Sequence, residues 1–431
     1  MIKRIYIFSL IILLFPITSE AQSLTLDECI KLALNNNVDI INSKLTVDEA
    51  TLTRREAFTK YFPDVSVGGA SFKAADPLVD MSFSIAAVGL TVPIQMLKDG
   101  NVAAATAVQP IFAGGRIYNG NRLARVGEEV AKLKADLSKD EIIRNTASYY
   151  WQIVSLKEKL KTINSAKDQL AGVKRRVESA VKAGVTNNGD LLKVELESLE
   201  LESNEIKVRN GIEIYKMLLA QYIGGSIKSN EFDVSDTAFI NPDSPASYFI
   251  PAEEALLRRS ESQLLDKSVE AQKLKVKSET GNYLPTVGVG ASYFYHDLSG
   301  HNTRNSILFA TVKVPISGWW GGSSAIKREK IELKKAINEK ENNSALLKID
   351  INQSWNELQQ AYKQIEVARK AIASSSENLR LSTNNYNAGI TDITDLLDAH
   401  TKLRQSNNFY SDACCDYEIK LIKYLQVTGQ Q

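Results

Sequence analysis

The chain of 431 residues carries a tandem repeat, and no other feature limits its fold so strongly. KYFPDVSVGGASF at 60–72 returns as NYLPTVGVGASYF at 282–294, an offset of 222 that sets Tyr61 on Tyr283 and Pro63 on Pro285. AGVTNNGDLL at 183–192 returns as AGITDITDLL at 388–397, now at an offset of 205, with Gly184 on Gly389 and Asp190 on Asp395. Pro110-Ile111 returns as Pro315-Ile316 at the same 205. The fall from 222 to 205 places 17 extra residues in the first copy between Pro63 and Pro110. From each of these later prolines to the end of its DLL motif the spacing is unchanged, so long matched elements lie between.

Each copy opens on a helix signal: Thr25 and Glu28 as a capping box in the first, Glu253-Glu254 after Pro251 in the second. A strand region follows. Val287, Val289, Ala291, Tyr293 and Tyr295 alternate with Gly288, Gly290, Ser292 and Phe294, and after a polar stretch from His296 to Asn305 Leu308, Ala310, Val312 and Val314 alternate with Ile307, Phe309, Thr311 and Lys313. The spacing predicts two strands of about ten residues, the length a tilted barrel strand needs to cross a bilayer. A soluble hairpin is the competing reading. Against it stand Tyr293-Phe294-Tyr295 at one end and Trp319-Trp320 at the other, placed like the aromatic girdles of a membrane barrel.

Residues 116–182 contain no proline, and their apolar positions, among them Tyr149, Ile153, Leu156, Leu160, Ile163, Leu170, Val173 and Val177, step by threes and fours. Ile351, Trp355, Leu358, Tyr362 and Ile365 repeat the pattern in the second copy. At about 1.5 Å per residue such a helix runs roughly 100 Å and needs lateral neighbours. The turns Ala183-Gly184-Val185-Thr186 and Ala388-Gly389-Ile390-Thr391 end the two long helices, and helical segments run back from each, so every copy supplies one antiparallel hairpin. The organisation is then a leader over 1–21, a first repeat over 22–224 (helix, two strands, helical hairpin), a linker or equatorial segment over 225–251, and a second repeat over 252–431.

The leader reads as an export signal: Lys3 and Arg4, an apolar run from Ile5 to Ile17, and cleavage after Ala21. With it gone the chain is formally neutral, and near-zero charge leaves no basic field for nucleic acid. No later stretch reaches the roughly 18 to 20 apolar residues of a membrane helix, so any span must be made of strands. Three histidines without metal spacing, and no phosphate-binding glycine loop, argue against an enzyme or a cofactor. Cys29, Cys414 and Cys415 are too few and too uneven for a disulfide framework.

Four strands cannot close a membrane barrel when the smallest has eight, and open edges in lipid cost several kcal/mol per unpaired group. Copies must therefore share one barrel, and two, three or four of them would give eight, twelve or sixteen strands. The leader, the LDECIKLALNNN opening, the YFP and YLP strand starts, the duplicated AG(V/I)T…DLL turns and the long helices together resemble the TolC-like outer membrane efflux protein family across the mature chain. The resemblance implies a mainly α fold with membrane β. Long helical hairpins would form an α-barrel, and four strands per subunit would enter a shared 12-stranded outer-membrane barrel in a homotrimer. It also implies the role: an exit duct for a periplasmic adaptor and an inner-membrane pump of RND, ABC or MFS type, or for a type I secretion system.

The same resemblance assigns a periplasmic gate to Asp190, Tyr386, Asp395 and Asp398; the turns around Ala183, Gly184, Thr186, Ala388, Gly389 and Thr391 read first as tight helix-ending turns and second as a grip for adaptor helices. Thr391 stands where the best-known members carry Arg, which puts that part of the latch in question. Asp395 and Asp398 lie three apart and share a helix face, so a trimer would ring six carboxylates around one constriction. The plainer reading is that Asp190 and Asp395 cap helix N-termini. Tyr61, Pro63, Tyr283, Pro285, Trp319 and Trp320 would mark the strand starts and the girdle in contact with outer-membrane lipid. The rival assignment is a periplasmic coiled-coil adaptor or scaffold, which needs one helical hairpin where this chain has two.

Overall fold

The computed structural model describes residues 22–430 apart from 86–89, 97, 226, 227, 236–241, 243, 299 and 300. The leader and its cleavage point at Ala21 lie outside the described residues. In chain order the elements are β1 (Gln22–Leu24), α1 (Leu26–Asn36), α2 (Val38–Thr59), β2 (Asp64–Lys73), β3 (Val79–Ile85), β4 (Leu90–Met96), β5 (Asp99–Ala113), α3 (Arg116–Lys182), α4 (Asn188–Tyr222) and β6 (Phe232–Val234). The second copy gives α5 (Ala252–Arg258), α6 (Ser260–Gly281), β7 (Thr286–Leu298), β8 (His301–Lys313), α7 (Trp319–Asn387) and α8 (Ile393–Thr428). The fold is mainly helical. No helix of the described residues is long and apolar enough to cross a membrane.

Two compact units cut across the repeat. One takes the start of the chain up to Ile41 with Ser138–Ala255 and Ile349–Gln431, and the other takes Asn42–Leu137 and Leu256–Lys348. Each copy contributes to both.

The second of these units holds a four-stranded antiparallel sheet in the order β2-β5-β7-β8. Strands β7 and β8 have 13 residues each, longer than the ten expected, and the polar stretch His296–Asn305 is mostly strand rather than loop. Polar side chains do not interrupt a ladder whose backbone groups are paired, as Asp297↔Asn302 and His296↔Thr303 are. The 17 extra residues of the first copy correspond to a separate hairpin in which β3 pairs β4 from Val79↔Met96 to Ile85↔Leu90. The apolar segment Met81 to Met96 thus belongs to a hairpin of its own between β2 and β5. At the strand-to-helix corner Gly114 takes φ +63° against the backbone of Gly281, an approach that leaves no room for a side chain at either position. Helices α2 and α3 are joined by Asn121 Nδ2 donating to Ala57 O at 2.8 Å and by Arg54–Glu128 at 2.7 Å.

The other unit is built on the helical hairpins. Thr25 Oγ1 accepts from Glu28 N at 3.3 Å while Glu28 Oε2 accepts from Thr25 N at 2.8 Å, completing the expected capping box. Cys29, Ala33 and Ile40 then bury against Tyr150, Ile153, Leu219 and Ile223. Strand β1 pairs in parallel with β6, so the stretch after Gly224 is anchored rather than a free linker. The heptad positions Ile153, Ile163, Leu170, Val173 and Val177 are buried, as are Ile351, Leu358 and Ile365 in the second copy. All three cysteines are free and buried, and burial pushes the Cys29 thiol up to about 12.

One duplicated feature escaped the sequence reading. The opening helix of each copy breaks at one residue, Asn37 in the first and Arg259 in the second, 222 positions apart. At the first break Asn37 turns its amide to Tyr222 O at 2.9 Å and accepts from Asp39 N at 2.8 Å, which restarts the helix as an N-cap does.

Candidate functional site

Two regions carry the residues singled out by the sequence: the turns at the hairpin ends and the four-stranded sheet. The turns are copies of each other in backbone terms. Gly184 (φ +70°) follows α3 and Gly389 (φ +71°) follows α7. Val185 N donates to Ala180 O and Gly184 N to Val181 O, and Ile390 N donates to Asn385 O and Gly389 N to Tyr386 O. This double pattern is a Schellman ending, which uses glycine because the left-handed conformation strains any residue with a Cβ.

The return helices start on Asn187 and Asp392, not on Asp190 and Asp395. Asn187 Oδ1 accepts from Asp190 N at 3.2 Å, and Asp392 Oδ1 accepts from Asp395 N at 3.1 Å. The capping reading of Asp190 and Asp395 is therefore corrected: each sits three residues inside its helix and supplies the N–H that the cap receives. Their carboxylates are left for other partners. Thr186 Oγ1 donates to Asp190 Oδ2, and Lys193 Nζ stands 3.5 Å from Asp190 Oδ1. In the second copy the pattern changes, since the Thr391 hydroxyl is buried without a hydrogen-bond partner and Asp395 and Asp398 are exposed.

Tyr386 packs against a core of Leu170, Val173, Val177, Val194, Ile393 and Leu396 that ties the two hairpin ends together. Burial raises its phenol above the usual range, the Asp190 carboxylate adds to the rise, and Arg176 opposes it. Tyr386 of copy two and Asp190 of copy one thus sit within each other's field inside a single chain. Sequence reasoning missed three groups here. Lys193 Nζ also donates to Thr394 Oγ1 at 3.1 Å. Arg404 of α8 lies 3.3 Å from Glu197 of α4, whose carboxyl is raised mainly by burial against the pull of Arg404. His400 is held below its ordinary range by burial and then by Arg176. Charged residues on long helices read as solvated faces in sequence, so only the packing of α3, α4 and α8 reveals these partners.

In the sheet, register sorts the side chains onto two faces. One face carries Val65, Val67, Ala105, Ala107, Val289, Ala291, Leu308, Ala310 and Val312, with Tyr293 and Tyr295 at its edge and then Ser71, Asn101, Asp297 and Asn302. The opposite face carries Asp64, Ser66, Thr303, Thr311 and Lys313 with Phe72, Phe294 and Phe309, and Thr106 and Ser292 share a 2.9 Å hydroxyl bond there. The Tyr293-Phe294-Tyr295 run is therefore split: the tyrosines border the apolar face, while Phe294 stacks with His296 on the other. Pro63 and Pro285 stand one residue before β2 and β7, with Tyr61 and Tyr283 just ahead. Trp319 and Trp320 lie on the first turn of α7, beyond the end of β8, where Trp319 Nε1 donates to Tyr283 O at 2.9 Å and Trp320 is exposed.

Among the described residues β2 and β8 are the outer strands of this sheet, and each has one partner in it. On α4, Leu192, Leu196, Leu199 and Ile206 form an exposed apolar stripe.

Comparison with known proteins agrees with the duplicated fold. The model of the family described as outer membrane efflux protein matches residues 29–225 and 252–430, one match per repeat. Among solved structures, the transmembrane channel protein CusC aligns with a TM-score of 0.80 at 16% identity, over 94% of this chain and 92% of that one. The outer membrane protein VceC from Vibrio cholerae aligns at 0.77 and 14%, over 94% and 96%. The MtrE outer membrane channel of Neisseria gonorrhoeae, solved in its open state, aligns at 0.75 and 15%, over 94% and 88%. No protein of curated function matches the sequence.

Proposed function

The chain belongs to the outer membrane efflux protein family, and from that premise we propose that it forms a homotrimeric exit duct. Its location is the outer membrane, and the family is one of channels rather than enzymes. In the proposed trimer, three sheets of four strands close a 12-stranded barrel in outer-membrane lipid, and the helical hairpins form an α-barrel in the periplasm. The apolar face with Val65, Leu308 and Val312 meets lipid, and the face with the Thr106–Ser292 bond lines the water-filled bore.

The observation that carries this reading is the pair of unsealed strands β2 and β8 on an otherwise continuous sheet with one apolar face. Such edges are untenable in lipid unless a neighbour pairs with them. The exposed stripe on α4 supports lateral association of the helices in the same assembly. A periplasmic adaptor or scaffold is disfavoured, because it has no use for such a sheet and the family match spans both copies.

The duct does no chemistry. An inner-membrane pump of RND, ABC or MFS type, or a type I secretion system, drives cargo through a periplasmic adaptor docked at the turns around Gly184 and Gly389. The gate is the ring formed by Asp395 and Asp398 from three subunits, steadied by the neighbouring pair Asp190 and Tyr386. Carboxylates focused at a constriction favour cations and hold back anions. Membrane fractionation followed by sizing in detergent tests the proposal. A trimer recovered from the outer membrane that conducts ions in planar bilayers is the expected result, and a soluble periplasmic monomer rejects it.

A further inference from the structure

The two offsets read from the sequence also govern the pairing of strands. Adding 222 to β2 and 205 to β5 turns the pair Asp64↔Val108 into Thr286↔Lys313 and the pair Lys73↔Asp99 into Tyr295↔Arg304. Both are observed pairs of β7 and β8. The two hairpins are therefore one module used twice in a single register.

Within the chain, the second strand of the first module meets the first strand of the second module along β5–β7, with Ala104↔Phe294, Ala105↔Tyr293 and Thr106↔Ser292 as successive pairs. The open edges are the same two kinds of strand, β8 as a second strand and β2 as a first. Strand directions alternate through β2-β5-β7-β8, so a following β2 would again be antiparallel. Resting on the shared-barrel reading, we infer that β8 pairs with β2 of a second copy in the register of the β5–β7 seam. Phe309 then faces Phe72 of the partner subunit, Ala310 faces Ser71 of the partner subunit, and Thr311 faces Ala70 of the partner subunit.

The side-chain faces agree with this register. Ala310 and Val312 share the apolar face, and Ser71 and Gly69 continue the face of Val65 and Val67. A slip of one residue would set the lipid side of one subunit against the bore side of the next. Only slips of two residues compete.

The inferred seam completes a feature that no single chain contains. Phe72 and Phe309 each cover a glycine of their own hairpin: a methyl group added at Gly100 would stand 3.2 Å from Phe72 Cε1, and one added at Gly290 would stand 2.7 Å from Phe309 Cε2. Bringing the two strands together sets these rings side by side on the bore face, three pairs to a trimer. On the lipid face Lys73 takes the position that Tyr295 holds at the internal seam, where a long cationic side chain reaches the interface. The equivalence stops at Lys313, where β8 ends while β5 runs on to Ala113, so the inferred ladder joins the Leu308–Lys313 part of β8 to the Gly68–Lys73 part of β2.

Disulfide trapping of the full-length protein tests the register. Directly opposed residues lie about 4.5 to 5.5 Å apart, within disulfide reach, whereas positions two residues away lie at about 7 to 8 Å. The variant Ser71→Cys with Ala310→Cys is expected to shift on oxidation from single chains to covalent trimers on a denaturing gel and to return on reduction. Gly69→Cys with Ala310→Cys, Lys73→Cys with Ala310→Cys, and each single variant are expected to stay as single chains. Preferential linkage through position 69 or 73, or no linkage in any pair from protein that is still trimeric in detergent, overturns the register while leaving the duct in place. Single chains in detergent overturn the shared barrel itself.

Discussion

Lys193 Nζ donates to Thr394 Oγ1 at 3.1 Å while standing 3.5 Å from Asp190 Oδ1, so one lysine of α4 ties the hairpin end of the first copy to the first turn of α8 in the second. In the proposed gate this places a cation beside the turn where Thr391 stands in the position of the Arg that the family resemblance implies.

Replacing Lys193 with Met removes the tie and keeps the stem. Because the contact is half-exposed, its worth is under about 1 kcal/mol. The expected result is a modest rise in open occupancy of the reconstituted channel, up to about fivefold, with Thr394→Val giving a smaller change in the same direction. Single-channel recording checks it, and unchanged gating in both variants would assign the contact to packing alone.

Asp395 and Asp398 are both exposed on α8, free of the capping duty that falls to Asp392. Substituting both with Ala is expected to raise conductance and to weaken block by multivalent cations by about tenfold, the lower end of what focused charge contributes. The comparison is a titration of multivalent cation in planar bilayers. An unaltered blocking concentration would remove these acids from the constriction.

Much of this architecture was legible because the sequence repeats. The unchanged spacing and the apolar period located the long helices, the first expected over about 116 to 182 and observed over Arg116–Lys182, and the repeated turns located the glycines at 184 and 389. The drop of 17 in offset marked where the β3–β4 hairpin sits, although not that the segment was a hairpin. Strand length was underestimated, because the polarity of residues such as Thr303 and Asn305 looked like loop while their backbone was paired. Side-chain partners such as Arg404–Glu197 stayed hidden, since they depend on how α4 and α8 meet and leave no local pattern. The cap at Asp392 has a local signal, an Asp just before the apolar positions Ile393, Leu396 and Leu397 of the return helix, but Asp395 and Asp398 carry the same side chain and hide it.

Gly389 has a positive φ and open space around it, so a Cβ there meets no atom and the cost of substitution is conformational only. Gly389→Ala should destabilise the helix end by about 1–2 kcal/mol, and Gly389→Asn by less, because Asn tolerates the left-handed region better. Val, being β-branched, should be worse than both. Thermal melts of the three variants give the ranking, and equal melting temperatures would mean that the turn relaxes to another ending without strain.

His400 supplies a pH dependence whose sign can be worked out. Its imidazole is held below the ordinary 6.5 first by burial and then by Arg176, so the folded state resists protonation more than the unfolded chain does. Well above pH 6.5 the ring is neutral in both states and contributes nothing. As pH falls below 6.5 the unfolded chain takes up the proton first, and stability drains away until the folded ring also protonates. Glu197 works the other way at lower pH, because its carboxyl is raised from 4.5 by burial and its neutralisation favours the folded state. The expected outcome is a loss of thermal stability between pH 7 and 5 that is smaller in His400→Gln, with both proteins alike above pH 7. Parallel melting curves for the two proteins across that range would show that His400 is protonated as easily in the folded chain as in the unfolded one.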